Sequence, residues 1–184
     1  MLGGISSPWP PAARASLVEA MDLAALASAA QRIVVGEVVS VSSAWDAEHR
    51  RIFTTTVVKV AETWKSDGAP AERLKVVQLG GSVGDIEMRV HGLAAFQVGE
   101  RAVLFLGTGG ISGPASSRSY HVVGLGQGKR PLRFDGLAHR WLVDGGDRSA
   151  AFVSGPRGEI QPARAEAALP LDELRLRVRK LVSR

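Results

Sequence analysis

The hydrophobic period changes twice along the chain. Composition turns helical from Arg14, and between Asp22 and Gln31 the apolar residues fall at helical spacing. Leu23, Leu26 and Ala30 share one face, and Asp22 is placed to cap the first turn. From Ile33 the period shortens to about two. Residues 33–42 are β-branched and partly alternating, which predicts a long strand. Gly36 lies inside it, the mark of a bulge, a corner or a close approach. Residues 46–50 read as a polar turn and 52–60 as a second strand, so the two runs pair as a hairpin. On that second strand Ile52, Thr54, Thr56 and Val58 point one way, and Phe53, Thr55, Val57 and Lys59 the other.

Further on, residues 66–71 predict a loop and 74–79 a third strand that ends at Gly80 and Gly81. Residues 87–90 predict a short strand. Residues 96–101 form a turn into 102–106, wholly apolar and therefore central. Residues 107–119 read as a mobile Gly/Ser loop. Residues 120–123 and 132–134 read as two strands joined by the glycine-rich stretch 124–129, and 140–143 as another. Residues 144–167 are rich in glycine and proline, and irregular. The helical period then returns. Leu171, Leu174, Val178, Leu181 and Val182 form a stripe opposed by Arg175, Arg177, Arg179 and Lys180, and Pro170 and Asp172 open the helix. Residues 1–13 read as a flexible lead-in, and 14–184 as one domain. Many short strands with helices only at the ends predict a mostly β fold. The expected form is a small barrel of about six to eight strands with an N-terminal helix and a C-terminal amphipathic helix.

Four motifs occur in order: QRIVVGEVVSVSSAW, RIFTTTVVKVAETWK, VVQLGGSVGDIEMRVHGLAAFQVGERAVLFL and YHVVGLGQGK. Together with the closing LPLDELRLRVRKLV, they resemble a family of uncharacterised bacterial proteins, over roughly two thirds of the chain. The resemblance implies export and a barrel of the OB-like or netrin-like kind. It is distantly similar to tissue inhibitors of metalloproteases. Those carry disulfides and an N-terminal cysteine, whereas this chain has no cysteine, so their inhibitory mechanism does not carry over. The resemblance brings no catalytic residues.

Composition narrows the function by exclusion. Apolar residues make up 45% and charged residues 22% of 184, which suits one ordinary globular domain. Thiol chemistry is excluded. No run approaches the ~20 apolar residues of a membrane span. The first five residues lack the basic start and apolar run of a signal peptide. The expected location is outside the cytoplasm if a leader has been removed, and the cytoplasm otherwise. A net charge of +5 permits polyanion binding, but arginine, alanine, glycine and valine are also what a GC-rich genome supplies.

No motif carries a reaction. His49, His91, His121 and His139 stand at no metal-ligating spacing. If 87–90 is a strand, Glu87 and His91 share a face near Asp85, but solvated loop residues are the better reading of the three. Neither Gly-x-Ser-x-Gly nor Ser-x-x-Lys occurs. Residues 124–129 look like a phosphate loop but fail its glycine spacing. No cofactor or metal is expected. The reading that remains is a non-enzymatic binding module for a protein partner such as a protease. It would act through the loops at 80–85, 107–119 and 124–130, with Gly81, Asp85, Gly126, Lys129 and Arg130 as candidate contacts. The alternative is an OB-like barrel for an oligonucleotide or other polyanion. Phe53 would share a face with Lys59, and Trp45, Trp64, Tyr120, Phe134 and Trp141 are further stacking candidates.

Overall fold

A computed structural model describes residues 18–68, 70–109, 119–147, 151–154, 159–164 and 166–183. The elements, in chain order, are β1 (Val18–Glu19), α1 (Leu23–Ala29), β2 (Arg32–Trp45), β3 (Ile52–Lys65), β4 (Arg73–Leu79), β5 (Gly81–Val83) and β6 (Ile86–Met88). Then follow β7 (Arg101–Thr108), β8 (Ser119–Val122), β9 (Lys129–Asp135), β10 (Arg140–Val143), β11 (Ala151–Ser154), β12 (Ile160–Pro162), β13 (Leu169–Pro170) and α2 (Leu171–Val182). The fold is mostly β, with one helix near each end. No helix among the described residues is long and apolar enough to cross a membrane.

The largest sheet runs β13-β10-β9-β7-β2-β3-β4-β8, and β8 also pairs with β7. Strands β7, β2, β3, β4 and β8 thus hydrogen-bond in a ring. Every contact in that ring is antiparallel except β4 with β8. One buried cluster draws on all of these strands: Val34, Val58, Leu74, Val76, Ala102, Leu104, Leu106, Tyr120 and Val122. We call the face they share the inner face. A second cluster covers the outer face of β2 and β7. There Ile33, Val35, Val103 and Phe105 meet Leu26 from α1 and Ala30 at its C-terminal cap, Leu174 and Val178 from α2, and Trp64.

Of the bulge, corner or close approach that a glycine at position 36 marks, the structure shows a close approach beside a register shift. A Cβ there would collide with Val58 and stand 2.9 Å from the Lys59 carbonyl. The pairing of β2 with β3 shifts register beside it, and again between Val38 and Ser40. Asp22 caps α1 through a hydrogen bond from the Ala25 N–H, 2.7 Å long. In the hairpin turn Asp46 accepts the Arg50 and Arg51 N–H groups at 2.6 and 3.2 Å. Desolvation raises the Asp46 pKa, but those amides and the two arginine charges outweigh it and hold the carboxyl below its ordinary range.

Several boundaries depart from expectation. The hairpin is longer than its alternating core, because Ala61–Lys65 is carried into pairing by the start of β2 (Val35 with Glu62, Ile33 with Lys65). Helix α1 stops at Ala29, since the Gln31 N–H bonds the Leu106 carbonyl and starts sheet pairing. Val18–Glu19 is a strand where a helix was expected, and β11 and β12 lie in the stretch expected to be irregular. These short strands hold one another, β1 parallel to β11 and β11 antiparallel to β12, across sequence distances that no local pattern records. The lead-in at 1–13 and most of the loop at 107–119 lie outside the described residues.

One charge pair spans the ring. Arg32 is 2% exposed and its Nε donates to Asp67 Oδ1 at 2.8 Å. The Tyr120 hydroxyl donates to the same carboxylate at 3.3 Å, and the guanidinium lies 5.6 Å from the tyrosine ring. Strand β2, the β3–β4 loop and strand β8 are thereby tied together. Asp67→Ala would leave the buried guanidinium without this acceptor, at a cost of about 3 kcal/mol. Equilibrium urea unfolding measures this, and a loss under about 1 kcal/mol, the range of an exposed pair, would contradict it.

Candidate binding cleft

Past Val38 the hairpin leaves the rest of the ring, and its inner face needs a different cover. Val41 pairs with Thr56 and Ser43 with Thr54, so these residues share that face. The chain leaving β4 turns at Gly80 and folds β5 back over them. The Ser43 and Thr54 hydroxyls bond each other at 2.9 Å, and Thr54 donates to the Gly80 carbonyl at 2.7 Å. Gly81, at φ 129°, sits directly on this pair, where a Cβ would overlap both hydroxyl oxygens. Glycine is required there by both backbone angle and space.

After β6 the chain returns beneath the ring as residues 89–96. The Gln78 amide, oriented to satisfy both of its ends, donates to the Ala94 carbonyl at 3.0 Å and accepts the Ala94 N–H at 3.2 Å. Ala94 is thereby drawn into the inner core. A cleft of about 290 Å³ remains between the hairpin and this segment, lined by Val41, Thr54, Gln78, Met88, Val90, Leu93 and Phe96 among others. Among the described residues, none that lines it is ionisable. Val41 and Val90 of this lining are also exposed.

Of the residues expected to bind, Gly126 and Lys129 meet at the 89–96 segment, as its supports. Gly81 packs the wall of the cleft. The Gly126 N–H donates to the Gly92 carbonyl at 2.7 Å. The Lys129 ammonium lies 2.6 Å from the Glu100 carboxylate and 4.9 Å from the Phe96 ring centre, and it also bonds the Ala95 carbonyl. Asp85 stands apart, exposed in the β5–β6 turn. Arg130 is 1% exposed and ion-paired with Glu166, away from the cleft. The residues sequence reasoning missed are Val41, Thr54, Gln78, Met88 and Phe96. No local signal marks them, since uncharged runs like 38–45 recur at 23–31, 76–84 and 102–117.

The other expected groupings fare differently. Strand β6 ends at Met88, so Glu87 and His91 do not share a strand face; His91 lies in the turn beyond. Glu87 instead pairs with Arg89 at 2.7 Å, and that guanidinium holds its carboxyl below the ordinary range. Among the described residues no three His, Asp or Glu side chains converge on a point that would hold a metal. Phe53, expected to stack beside Lys59, is 5% exposed, and Trp64 and Tyr120 are also buried. Aromatic surface collects elsewhere. A groove of about 240 Å³ includes Glu37, Lys59, Arg101, Leu132 and Trp141 in its lining. Phe134 packs edge-on against Trp141 at 5.3 Å, and Arg101 lies over Trp141 while bonding Glu37 at 3.0 Å.

Gly81→Ala forces β5 off the Ser43–Thr54 pair, with an expected loss of about 2 kcal/mol, whereas Asp85→Ala changes stability by under about 0.5 kcal/mol. Paired urea titrations check both values, and equal effects would contradict this account of the cleft wall. Comparison of the chain with protein family models, with curated proteins and with solved structures found no match.

Proposed function

We propose that the chain is a non-enzymatic interaction module, built as a small barrel of the OB-like kind, and that it engages a protein partner at the cleft. The barrel reading is supported by the pairing ring, by its one parallel contact and by the single inner cluster that all its strands share. The observation that carries the partner reading is that no described residue lining the cleft is ionisable, in a chain of net charge +5. Apolar, concave surface of this kind is gained by burial against another chain. Export, and a protease as the partner, draw support from the sequence resemblance alone.

A second reading, polyanion binding, is favoured by one observation: Trp141, Phe134, Arg101 and Lys59 come together at the outer groove. Against it, Glu37 stands in the middle and holds Arg101. Salt separates the two. The purified chain is used as bait for nuclease-treated lysate and culture supernatant at about 50 and about 200 mM salt. Retention of one near-stoichiometric protein at both concentrations, lost on Val41→Lys and kept on Trp141→Ala, is the expected result. Retention only of nucleic acid and acidic proteins that leave at the higher salt would overturn the reading in favour of the second.

A further inference from the structure

We propose that the open edge of β2, from Val39 to Trp45, takes up an extended peptide segment as an added antiparallel strand, with alternate side chains of that segment entering the cleft. This rests on the interaction-module reading and specifies the form of the partner.

The edge is vacated by a turn. Strand β7 pairs with β2 only from Arg32 to Glu37, and its upstream chain makes two more bonds at Val38, through Gly99 and Glu100. A turn over 97–100 then carries the chain off the edge, closed by a bond from the Glu100 N–H to the Gln97 carbonyl. Beyond Val38, β2 has β3 on one side and no strand on the other among the described residues. The direction of its free groups follows from the hairpin. The Asp46 N–H bonds the Arg51 carbonyl at 2.8 Å, and antiparallel pairs alternate from there. Ala44, Ser42 and Ser40 therefore bond β3, while Trp45, Ser43 and Val41 turn their N–H and C=O groups to the open side. The Ile52 carbonyl agrees, since it accepts from Gly80 on the β4 side and not from its pair Trp45.

Exposed edges are ordinarily blunted by charge or proline. Val39–Trp45 carries neither, and the register shift at Val38 protects only one end. A strand added here places the residues opposite Val41 and Ser43 on the inner face, over the cleft. Because edge and cleft are both uncharged, the segment that fits presents uncharged apolar side chains at every second position. A second copy fits less well. Two-fold pairing of two β2 edges puts both inner faces on one side, so each copy's β5–β6 hairpin approaches the other's cleft.

The probe is a blocked peptide alternating valine and threonine, of the same length as the edge, in two N-methyl isomers. Methylation of every threonine amide leaves the valine N–H groups to pair with β2 and sends valine into the cleft; methylation of every valine amide reverses this. Neither isomer can stack into a sheet with itself. The first isomer is expected to bind the full chain at least about tenfold more tightly than the second, and to lose about tenfold on Val41→Lys. It is also expected to slow hydrogen exchange at the Val41, Ser43 and Trp45 amides. Absence of binding, equal binding of the isomers, or unchanged exchange at those amides overturns the proposal. So does a dimer in sedimentation that Val41→Lys dissociates, which would make a second copy the occupant. If a protein partner is captured from lysate but its complex leaves those amides exchanging freely, the edge proposal fails while the interaction-module reading stands.

Discussion

The structure depends on one stretch of chain having to be covered on both faces. From Ile33 to Val38 strand β2 is apolar on both sides, interrupted only by Gly36 and the partly exposed Glu37. A half-buried sheet covers one face only. The inner face of β2 is covered because its neighbours curl until β8 meets both β4 and β7. The outer face is covered because α1 and α2 lie against it, and against each other. Gly36 permits this at the tightest point, where a side chain would push β3 away. The two helices, at opposite ends of the sequence, answer one demand.

Beyond Val38 the demand lapses: the same strand is exposed from Val39 to Ser42, and none of its residues after that is fully buried. The ring has nothing left to close there. The 89–96 segment covers the inner face instead, held by Gln78 from one side and by Gly126 and Lys129 from the other. A covering segment packs less completely than a paired strand, and the cleft is the space it leaves. Fold and candidate site thus share a cause.

Part of the charge is engaged within the molecule. Arg32 with Asp67, Arg101 with Glu37, Lys129 with Glu100, Arg130 with Glu166, Arg133 with Asp144 and Arg175 with Glu62 each join separate elements. These pairs are neutral and leave the net charge of +5 unchanged, but the cations within them are already engaged by carboxylates. Lys129 and Arg130 show it most directly: expected as partner contacts beside a glycine-rich loop, both are largely buried against carboxylates.

What the sequence by itself determined was local. The hairpin, the Asp22 cap, the apolar β7, the amphipathic α2 and an irregularity at Gly36 all follow from spacing within a few residues, because period and steric fit are local properties. The mostly β class follows from their sum. What only the tertiary structure decided was everything set by distant partners. β11 and β12 exist because β1 pairs with β11. Phe53 is buried, not stacked on a ligand, because β4 pairs alongside it. Arg130 became an interior ion pair because Glu166, thirty-six positions on, folds over it. The cleft itself is drawn from β2, β3, β4, β5 and β6, each contributing one or two residues, and from the 89–96 loop, which contributes five; its lack of charge is a property of the assembled lining. No window of the sequence contains it, since only folding sets Val41, Gln78 and Phe96 around one space.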